Sequence, residues 1–294
     1  MDLLSFLHEK RIIVENALRD IFVSFGSTPG VLRDAMEYML FSNGKRIRPI
    51  LAIAACEAKG KPSDDLLPVA CAIEMIHTYS LIHDDLPSLD NDDIRRGRPT
   101  CHKVFGDAVA ILAGDALLTE AFRIIVDSRY TYRISPRLIR QSIYEIATAA
   151  GADGMVGGQV MDVLYDGKDA TKNILHYIHM HKTTALIRAS VRVGAIMAGA
   201  KARELKNFTK YGECIGLAFQ IMDDILDAEG DEELVGKRLK KDTGKQTYIK
   251  HYGISASKIK LEQLIEEAVK SIDFLGENST TLKELARFIG NRSV

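Results

Sequence analysis

Apolar residues recur at three- and four-residue intervals along most of the chain, the spacing that gives an α-helix one buried face. The pattern runs through residues 3–25, is interrupted by the breaker-rich segment 26–30, and resumes over residues 31–41. Further helices are predicted for residues 50–59, 65–85, 107–127, 136–150, 171–199, 203–228, 255–273 and 279–290. Helix therefore dominates the predicted secondary structure.

Strand-like alternation of apolar and polar residues is scarce, and no β-α-β order is visible. No Gly-, Ser- or Pro-rich linker divides the chain, and no fixed-period repeat runs through it. A chain of 294 residues is long enough to bury a sizeable core. We therefore predict an all-α fold in a single domain, residues 1–294.

The composition argues against several functional classes. A net charge of −1 gives no overall attraction to nucleic acid or to an anionic membrane. No run approaches the ~18 apolar residues of a membrane span, and the N-terminus does not have the pattern of a secretory signal. The four cysteines are widely spaced, which suits a reducing compartment; they are Cys56, Cys71, Cys101 and Cys214. These features predict a cytoplasmic protein without a membrane span.

Two clusters of aspartates stand out, each near the end of a strongly apolar predicted helix. They are Asp84, Asp85 and Asp90 in the first cluster, and Asp223, Asp224 and Asp227 in the second. Carboxylates so close together repel one another unless a cation or basic partners compensate. A solvated helix face would explain one such cluster about as well as a binding site would, but it explains two clusters less well.

The spacing in the second cluster is informative. Gln220, Asp223, Asp224 and Asp227 fall at i, i+3, i+4 and i+7, which puts them on one polar helix face. Carboxylate oxygens are hard ligands that suit Mg²⁺, which typically takes one or two protein carboxylates plus substrate phosphates. A calcium loop is disfavoured, because residues 90–95 lack the glycine that an EF-hand needs at its sixth position.

Basic residues that could hold phosphate oxygens lie in segments 44–49, 95–98 and 237–241. Arg95 and Arg96 follow Asp90 closely, and a guanidinium group can bind phosphate with two parallel hydrogen bonds. The outer two segments could equally be solvated loops.

Two isolated positions keep alternatives open. His77 lies seven residues before the first aspartate, on nearly the same helix face, where a structural and a ligand-binding histidine fit the spacing equally well. Lys182 and Thr183 begin an apolar helix, where the hydroxyl could merely cap a turn. A histidine metal site is a further alternative, and its members would be His176, His179 and His181.

Five motifs occurring in order resemble the trans-prenyltransferase (polyprenyl diphosphate synthase) family, most closely bacterial-type farnesyl diphosphate synthases. They are GKRIRP, HTYSLIHDDLPSLDNDDIRRGRPTCH, GMVGGQVMDV, HKTTALI and GLAFQIMDDILD, within residues 44 to about 245. The resemblance implies a bundle of about ten helices around a central cavity, usually as a homodimer. It also implies about three Mg²⁺ ions per active site that bridge an allylic diphosphate to both aspartate motifs.

The resemblance also assigns a role to each candidate residue. The implied metal-binding residues are Asp84, Asp85, Asp90, Asp223, Asp224 and Asp227. Those implied for isopentenyl diphosphate are Lys45, Arg48, His77 and Arg96, and those implied for the allylic substrate are Arg95, Lys182, Thr183, Gln220 and Lys237. Two departures from the family pattern matter: Lys240 replaces a usual glycine, and Ile249 replaces a usual proline.

The implied reaction breaks the allylic C–O bond, joins the resulting cation to isopentenyl diphosphate and loses a proton, for which the departing diphosphate is the expected base. Asp84, Asp85, Asp90, Arg95, Lys182 and Asp223 would carry this chemistry. A terpene cyclase is a rival, but its second metal motif normally differs from D-D-x-x-D. A non-catalytic synthase subunit is another, but such subunits commonly lose the aspartate motifs that this chain keeps.

Product length is expected to depend on Tyr79 and Ser80, which lie five and four residues before Asp84. Plain core packing is the commoner fate of such an aromatic residue. In the resembling family, however, a bulky aromatic residue here, together with two extra residues in the first motif, accompanies a C15 product. We therefore expect farnesyl diphosphate, with geranylgeranyl diphosphate as the alternative.

Overall fold

The computed structural model describes residues 2–229 and 244–291. Over these ranges the chain is almost entirely helical, and its only strands are Ile94–Arg95 (β1) and Arg98–Pro99 (β2), which pair antiparallel. The predicted all-α fold class is confirmed.

The helices follow one another with short connections. The α-helices of the described chain are α1 (Leu3–Val23), α2 (Gly30–Leu40), α3 (Ile47–Ala58), α4 (Leu67–Asp84), α5 (Cys101–Phe105), α6 (Asp107–Val126), α7 (Ser128–Thr131), α8 (Pro136–Ala150), α9 (Met155–Leu164), α10 (Lys172–Ile178), α11 (Ala185–Met197), α12 (Ala202–Glu229), α13 (Tyr248–Tyr252), α14 (Ile254–Ser271) and α15 (Thr280–Gly290). Short 3₁₀ segments occur at Asp64–Leu66 and Asp273–Ser279, and a π-helical segment occupies His179–Thr184.

Side-chain caps explain where several helices begin. Asp2 accepts hydrogen bonds from the backbone N–H groups of Leu4 and Ser5 and so starts α1. Thr171 and Thr247 play the same part for α10 and α13. These caps satisfy N–H groups that have no partner within the helix.

The chain divides into two compact units. The first contains residues 1–50 and 64–139, and the second contains residues 51–63 and 140–294. Helices α3 and α8 therefore contribute residues to both units.

In the first unit, α4 packs against α1 and α6. Nearly all of α4 is buried, which fits its apolar residues on every side.

The segment Asp64–Asp84 has a mean hydropathy of 1.3 and is long and apolar enough to cross a membrane by length and composition alone. That differs from the expectation that no segment approaches this threshold. Its window is 67% buried inside the protein, as the core helix of a soluble protein would be.

In the second unit, α12 packs against α11 and α14, and the π-helical segment lies between α9 and α12. The predicted helix 171–199 thus exists as three joined segments: α10, the π-helical segment and α11. Single π-helical turns inside α-helices are frequent at functional sites. Helix α9 and the short helices α5, α7 and α13 lie outside the predicted set.

Candidate active site

The first aspartate cluster lies where α4 ends and the chain folds back on itself. The backbone N–H of Asp90 donates to the carbonyl of Asp84 at 2.9 Å, and that of Asp92 donates to Asp85 at 3.2 Å. These bonds close residues 84–92 into a compact loop. Asp84 and Asp90, six positions apart in sequence, are thereby brought together.

Asp85 is fully buried and pairs with Arg95. Its Oδ1 accepts hydrogen bonds from Nε and Nη2 of Arg95 at 2.8 and 2.5 Å. Burial raises the pKa of Asp85 to about 6 against the opposing effect of the Arg95 charge. Its Oδ2 is buried without a hydrogen-bond partner among the described residues. Asp85 therefore fixes Arg95 with one oxygen and leaves the other available to a ligand or metal.

Arg95 ends strand β1, and Arg96 begins the two-residue turn that follows it. Strands β1 and β2 are joined by Arg96 and Gly97, with φ angles of 54° and 77°. A type I′ hairpin turn requires positive φ at both central residues. The strained backbone of Arg96 is the kind of local cost that clusters at binding sites. Its Nη1 donates to Ser42 Oγ at 2.8 Å, so the hairpin is tied to the segment that contains Lys45.

A buried ion pair that was not predicted from the sequence supports that segment. Arg46, only 2% exposed, donates to Glu74 Oε1 at 2.8 Å and to the carbonyls of Leu40 and Ser42 at 2.7 and 3.2 Å. Arg96 Nη2 lies 4.0 Å from the same Glu74 oxygen. This network fixes the backbone on either side of the exposed Lys45.

His77 lies one turn beyond Glu74 on α4. Desolvation, followed by the positive charges of Arg48, Arg96, Arg46 and Arg95, holds the pKa of His77 well below its usual value, so the ring is uncharged at neutral pH. Arg48 and Arg96 therefore lie close enough to His77 to act on its charge. We name the group Lys45, Arg48, His77 and Arg96 the basic cluster.

In the second unit, two lysines converge on one buried carboxylate. Lys182 Nζ and Lys245 Nζ lie 2.7 and 3.2 Å from Asp162 Oδ2. Burial favours the neutral acid, but the two ammonium charges outweigh it and lower the pKa of Asp162. Of these three residues, Lys182 was predicted from the sequence, whereas Asp162 and Lys245 were not. Asp162 lies in the motif GMVGGQVMDV, and Lys245 follows the second aspartate motif in the chain, but sequence alone does not reveal that they meet.

Asp224 of the second aspartate cluster belongs to a chain of side-chain hydrogen bonds that begins at Thr183. Thr183 Oγ1 donates to Gln220 Oε1 at 2.7 Å, and Gln220 Nε2 donates to Asp224 Oδ1 at 2.9 Å. Asp224 Oδ2 accepts from the backbone N–H of Tyr248 at 2.6 Å. Gln220 and Asp224 are therefore neighbours on one helix face, as their spacing predicted, and Thr183 joins them through Gln220. Asp224 uses both of its oxygens to hold protein groups in place.

The histidine metal site is not supported. His179 is buried, and its Nε2 lies 3.8 Å from Asp224 Oδ2. His181 stacks on Tyr177 and bonds to its backbone carbonyl at 2.7 Å. Within residues 2–229 and 244–291, no group of three or more His, Cys, Asp or Glu side chains is placed to hold a metal ion.

The carboxylate donors nevertheless fit Mg²⁺ held jointly with a substrate. Such an ion needs only one or two protein carboxylates when phosphate oxygens supply the rest. Asp84, Asp90, Asp223 and Asp227 are all partly exposed, and Asp85 offers its buried Oδ2. Metal binding by all six aspartates stays a prediction. In this structure the bonds of Asp85 and Asp224 hold Arg95, Gln220 and Tyr248. Lys237 and Lys240 lie outside the described residues.

The helical fold and two aspartate clusters beside basic residues define the isoprenoid synthase class. The polyprenyl synthetase family model matches residues 29–282. The chain is 45% identical to a geranylgeranyl diphosphate synthase of Cyanophora paradoxa, covering 99% of this chain and 97% of that protein. It is 46% identical to a farnesyl diphosphate synthase of Geobacillus stearothermophilus, with 98% and 97% covered.

Solved structures agree with these relatives. A geranyltransferase from Legionella pneumophila superposes with a TM-score of 0.88 at 31% identity, covering 99% of this chain and 98% of that one. An FPP/GFPP synthase from Zymomonas mobilis gives 0.86 at 34% identity, with 98% of each chain covered. The chain belongs to the polyprenyl synthetase family and is a short-chain prenyl diphosphate synthase. The names of its relatives divide between farnesyl and geranylgeranyl products.

Proposed function

We propose that this enzyme condenses isopentenyl diphosphate with dimethylallyl or geranyl diphosphate to give farnesyl diphosphate and diphosphate. The observation that carries the C15 product is Tyr79, a bulky side chain only 7% exposed and five residues before Asp84. Both burial and the charge of Asp84 raise the pKa of the Tyr79 hydroxyl, so the ring lies within electrostatic reach of the aspartate cluster. A hydrocarbon tail extending along α4 from that cluster would meet it.

The basic cluster is proposed to bind isopentenyl diphosphate. Its guanidinium and ammonium groups match diphosphate oxygens, and the neutral His77 can donate a hydrogen bond without adding charge. Arg95, Lys182, Thr183, Gln220 and Lys237 are proposed to bind the allylic diphosphate. Asp162 orients Lys182, and Asp85 orients Arg95. Preorganised positive groups of this kind stabilise charge that develops on a departing diphosphate.

The six aspartates of the two clusters are proposed to hold Mg²⁺, about three ions per site, together with the allylic diphosphate. The bound metal would supply Lewis-acid stabilisation of the leaving group. The protein would position the isopentenyl double bond against the allylic carbon and keep water away. The departing diphosphate would then take the proton.

The matched family segment includes parts of both compact units, which supports the proposal of a single catalytic domain.

A cytoplasmic homodimer is proposed as the working form. On α9, exposed apolar side chains recur at helical spacing, a pattern that favours burial against another protein surface. These side chains are Val156, Val160, Val163 and Leu164.

Tyr79→Ala is expected to shift the product from C15 towards C20 and longer chains, because removing the ring deepens the space below the aspartate cluster. Chromatography of the dephosphorylated products measures the distribution. Tyr144→Ala, which removes the same ring from an exposed position on α8, is the control and should keep the wild-type profile. An unchanged C15 profile in Tyr79→Ala would show that this ring does not limit the chain.

The two diphosphate sites should separate kinetically. Lys45→Ala is expected to raise the KM for isopentenyl diphosphate by about tenfold, the effect of losing one charge-assisted hydrogen bond of roughly 1.4 kcal/mol. Lys182→Ala should instead impair the use of the allylic substrate, with a large fall in kcat. Steady-state kinetics with each substrate varied in turn measures both effects. The same defect for both substrates in both variants would contradict the assignment.

A further inference from the structure

The imidazole of His83 stands against the aromatic ring proposed to limit product length. His83 is four residues after Tyr79 on α4, so both side chains lie on the same side of the helix. Their ring centroids are 5.6 Å apart with an interplanar angle of 81°, an edge-to-face contact.

A neighbouring helix holds the His83 ring in place. Its Nε2 lies 3.0 Å from the backbone carbonyl oxygen of Ile111 on α6, which fixes a proton on that nitrogen. The ring also fills a notch made by Gly114. A Cβ added there would lie 2.2 Å from His83 Nε2 and 2.5 Å from Cδ2, distances that a real structure does not tolerate.

The notch is unusual for a helix interior. Gly114 is in the middle of α6 with ordinary helical geometry, where glycine is less favourable than any residue except proline. No positive φ angle requires glycine at this position. The three heavy atoms nearest to a Cβ at position 114 all belong to the His83 ring, so the glycine leaves the space that this ring occupies.

We propose that His83 and Gly114 are specificity-determining positions, because α6 holds the His83 ring and that ring in turn holds Tyr79 in the position that stops chain growth. This inference rests on the proposed function, in which Tyr79 limits the product. His83 acts through Tyr79, so it is a positioning residue. Its side chain supplies the rigid contact that keeps the Tyr79 ring from turning away from a growing C20 tail.

The test measures the C20:C15 product ratio in His83→Ala, Tyr79→Ala and the double variant, with saturating isopentenyl diphosphate. His83→Ala is expected to raise the ratio by about fivefold, equivalent to about 1 kcal/mol between release and further elongation. The double variant should have the same ratio as Tyr79→Ala alone. Gly114→Ala should reproduce the His83→Ala shift, because the added methyl group displaces the ring from its notch.

Asp115→Ala is the matched control. Its carboxylate lies 3.9 Å from His83 Nε2 and is largely exposed, and its loss leaves the bond to Ile111 and the notch intact. The product ratio of this variant should therefore equal that of the wild type. The ratio depends on how each turnover ends, so a variant that is less stable or slower still reports it.

Two results would overturn the inference: an unchanged ratio in His83→Ala, or a further increase when His83→Ala is added to Tyr79→Ala. Failure of the proposed product would look different. A wild-type enzyme that makes C20 contradicts the proposed function, and the His83 contact is then judged by the C25:C20 ratio. If Tyr79→Ala shifts the product and both His83→Ala and Gly114→Ala do not, only the inference about His83 and Gly114 fails.

Discussion

Replacing Asp84 or Asp223 with asparagine is expected to lower kcat by on the order of 10²-fold or more, with the helical fold retained. Asparagine keeps the size of the side chain and removes the negative charge that would hold Mg²⁺ against the allylic diphosphate. Because both clusters present hard oxygen donors, activity should also vanish with a chelator and return with Mg²⁺ or Mn²⁺. Steady-state turnover across a Mg²⁺ titration, with circular dichroism to check folding, provides the measurement.

Asp93 offers a matched control for these variants. It belongs to the same acidic stretch but lies outside the D-D-x-x-x-x-D motif, and its exposed carboxylate pairs with Lys103 at 2.8 Å. Asp93→Asn should therefore keep kcat close to that of the wild type. Near-normal turnover of Asp84→Asn and Asp223→Asn at saturating Mg²⁺ would contradict the metal assignment.

The second large effect is expected on stability. Arg46→Met should lower the free energy of unfolding by about 3 kcal/mol, at the low end of the cost of breaking a buried ion pair. It removes the 2.8 Å partner of the buried Glu74 carboxylate and leaves the more distant Arg96, whose Nη2 lies 4.0 Å from the same oxygen. The Glu74 side chain is only 1% exposed. The substitution also removes the hydrogen bonds to the carbonyls of Leu40 and Ser42. Urea denaturation followed by circular dichroism measures the difference.

A second variant separates the ion pair from its surroundings. Arg46→Met combined with Glu74→Met removes both charges and should recover most of the lost stability. It should still raise the KM for isopentenyl diphosphate, because Arg96 loses the acid beside it. The exposed pair of Lys258 and Glu229 is the control, and Lys258→Met should change stability by less than ~1 kcal/mol. A loss below ~1 kcal/mol in Arg46→Met would contradict this account of the buried pair.

Helical periodicity was sufficient to predict the fold class, since long apolar helices such as α4 and α12 carry a strong local pattern. Helix α9 was missed because Gly157 and Gly158 weaken the helical signal, although its packing in the second unit stabilises it. The β1–β2 hairpin is only two residues per strand, too short for alternation to appear. Its Arg96-Gly97 turn is recognisable only once both φ angles are known to be positive.

Local sequence patterns also predicted only part of the candidate site. Spacing on one helix correctly placed Gln220 beside Asp224, because residues four apart on a helix are neighbours. Contacts between residues far apart in the sequence could not be predicted from spacing. Arg46 and Glu74 are 28 positions apart, and Asp162 and Lys245 are 83 apart. The residues proposed to bind substrate lie in recognisable sequence motifs, whereas the contacts that position these residues form only through tertiary packing.

The four buried thiols give each compact unit its own chemical reporter of opening. Cys71 and Cys101 belong to the first unit, and Cys56 and Cys214 to the second. Burial raises the pKa of Cys101 to about 12 and, despite the opposing charge of Lys210, that of Cys214 to about 11. A thiol reagent reacts with the thiolate, which a buried thiol of raised pKa rarely forms. Labelling therefore requires local or global unfolding that exposes the thiol. The modification rates at the two pairs, read by peptide mass spectrometry, therefore reveal whether ligands stabilise one unit before the other.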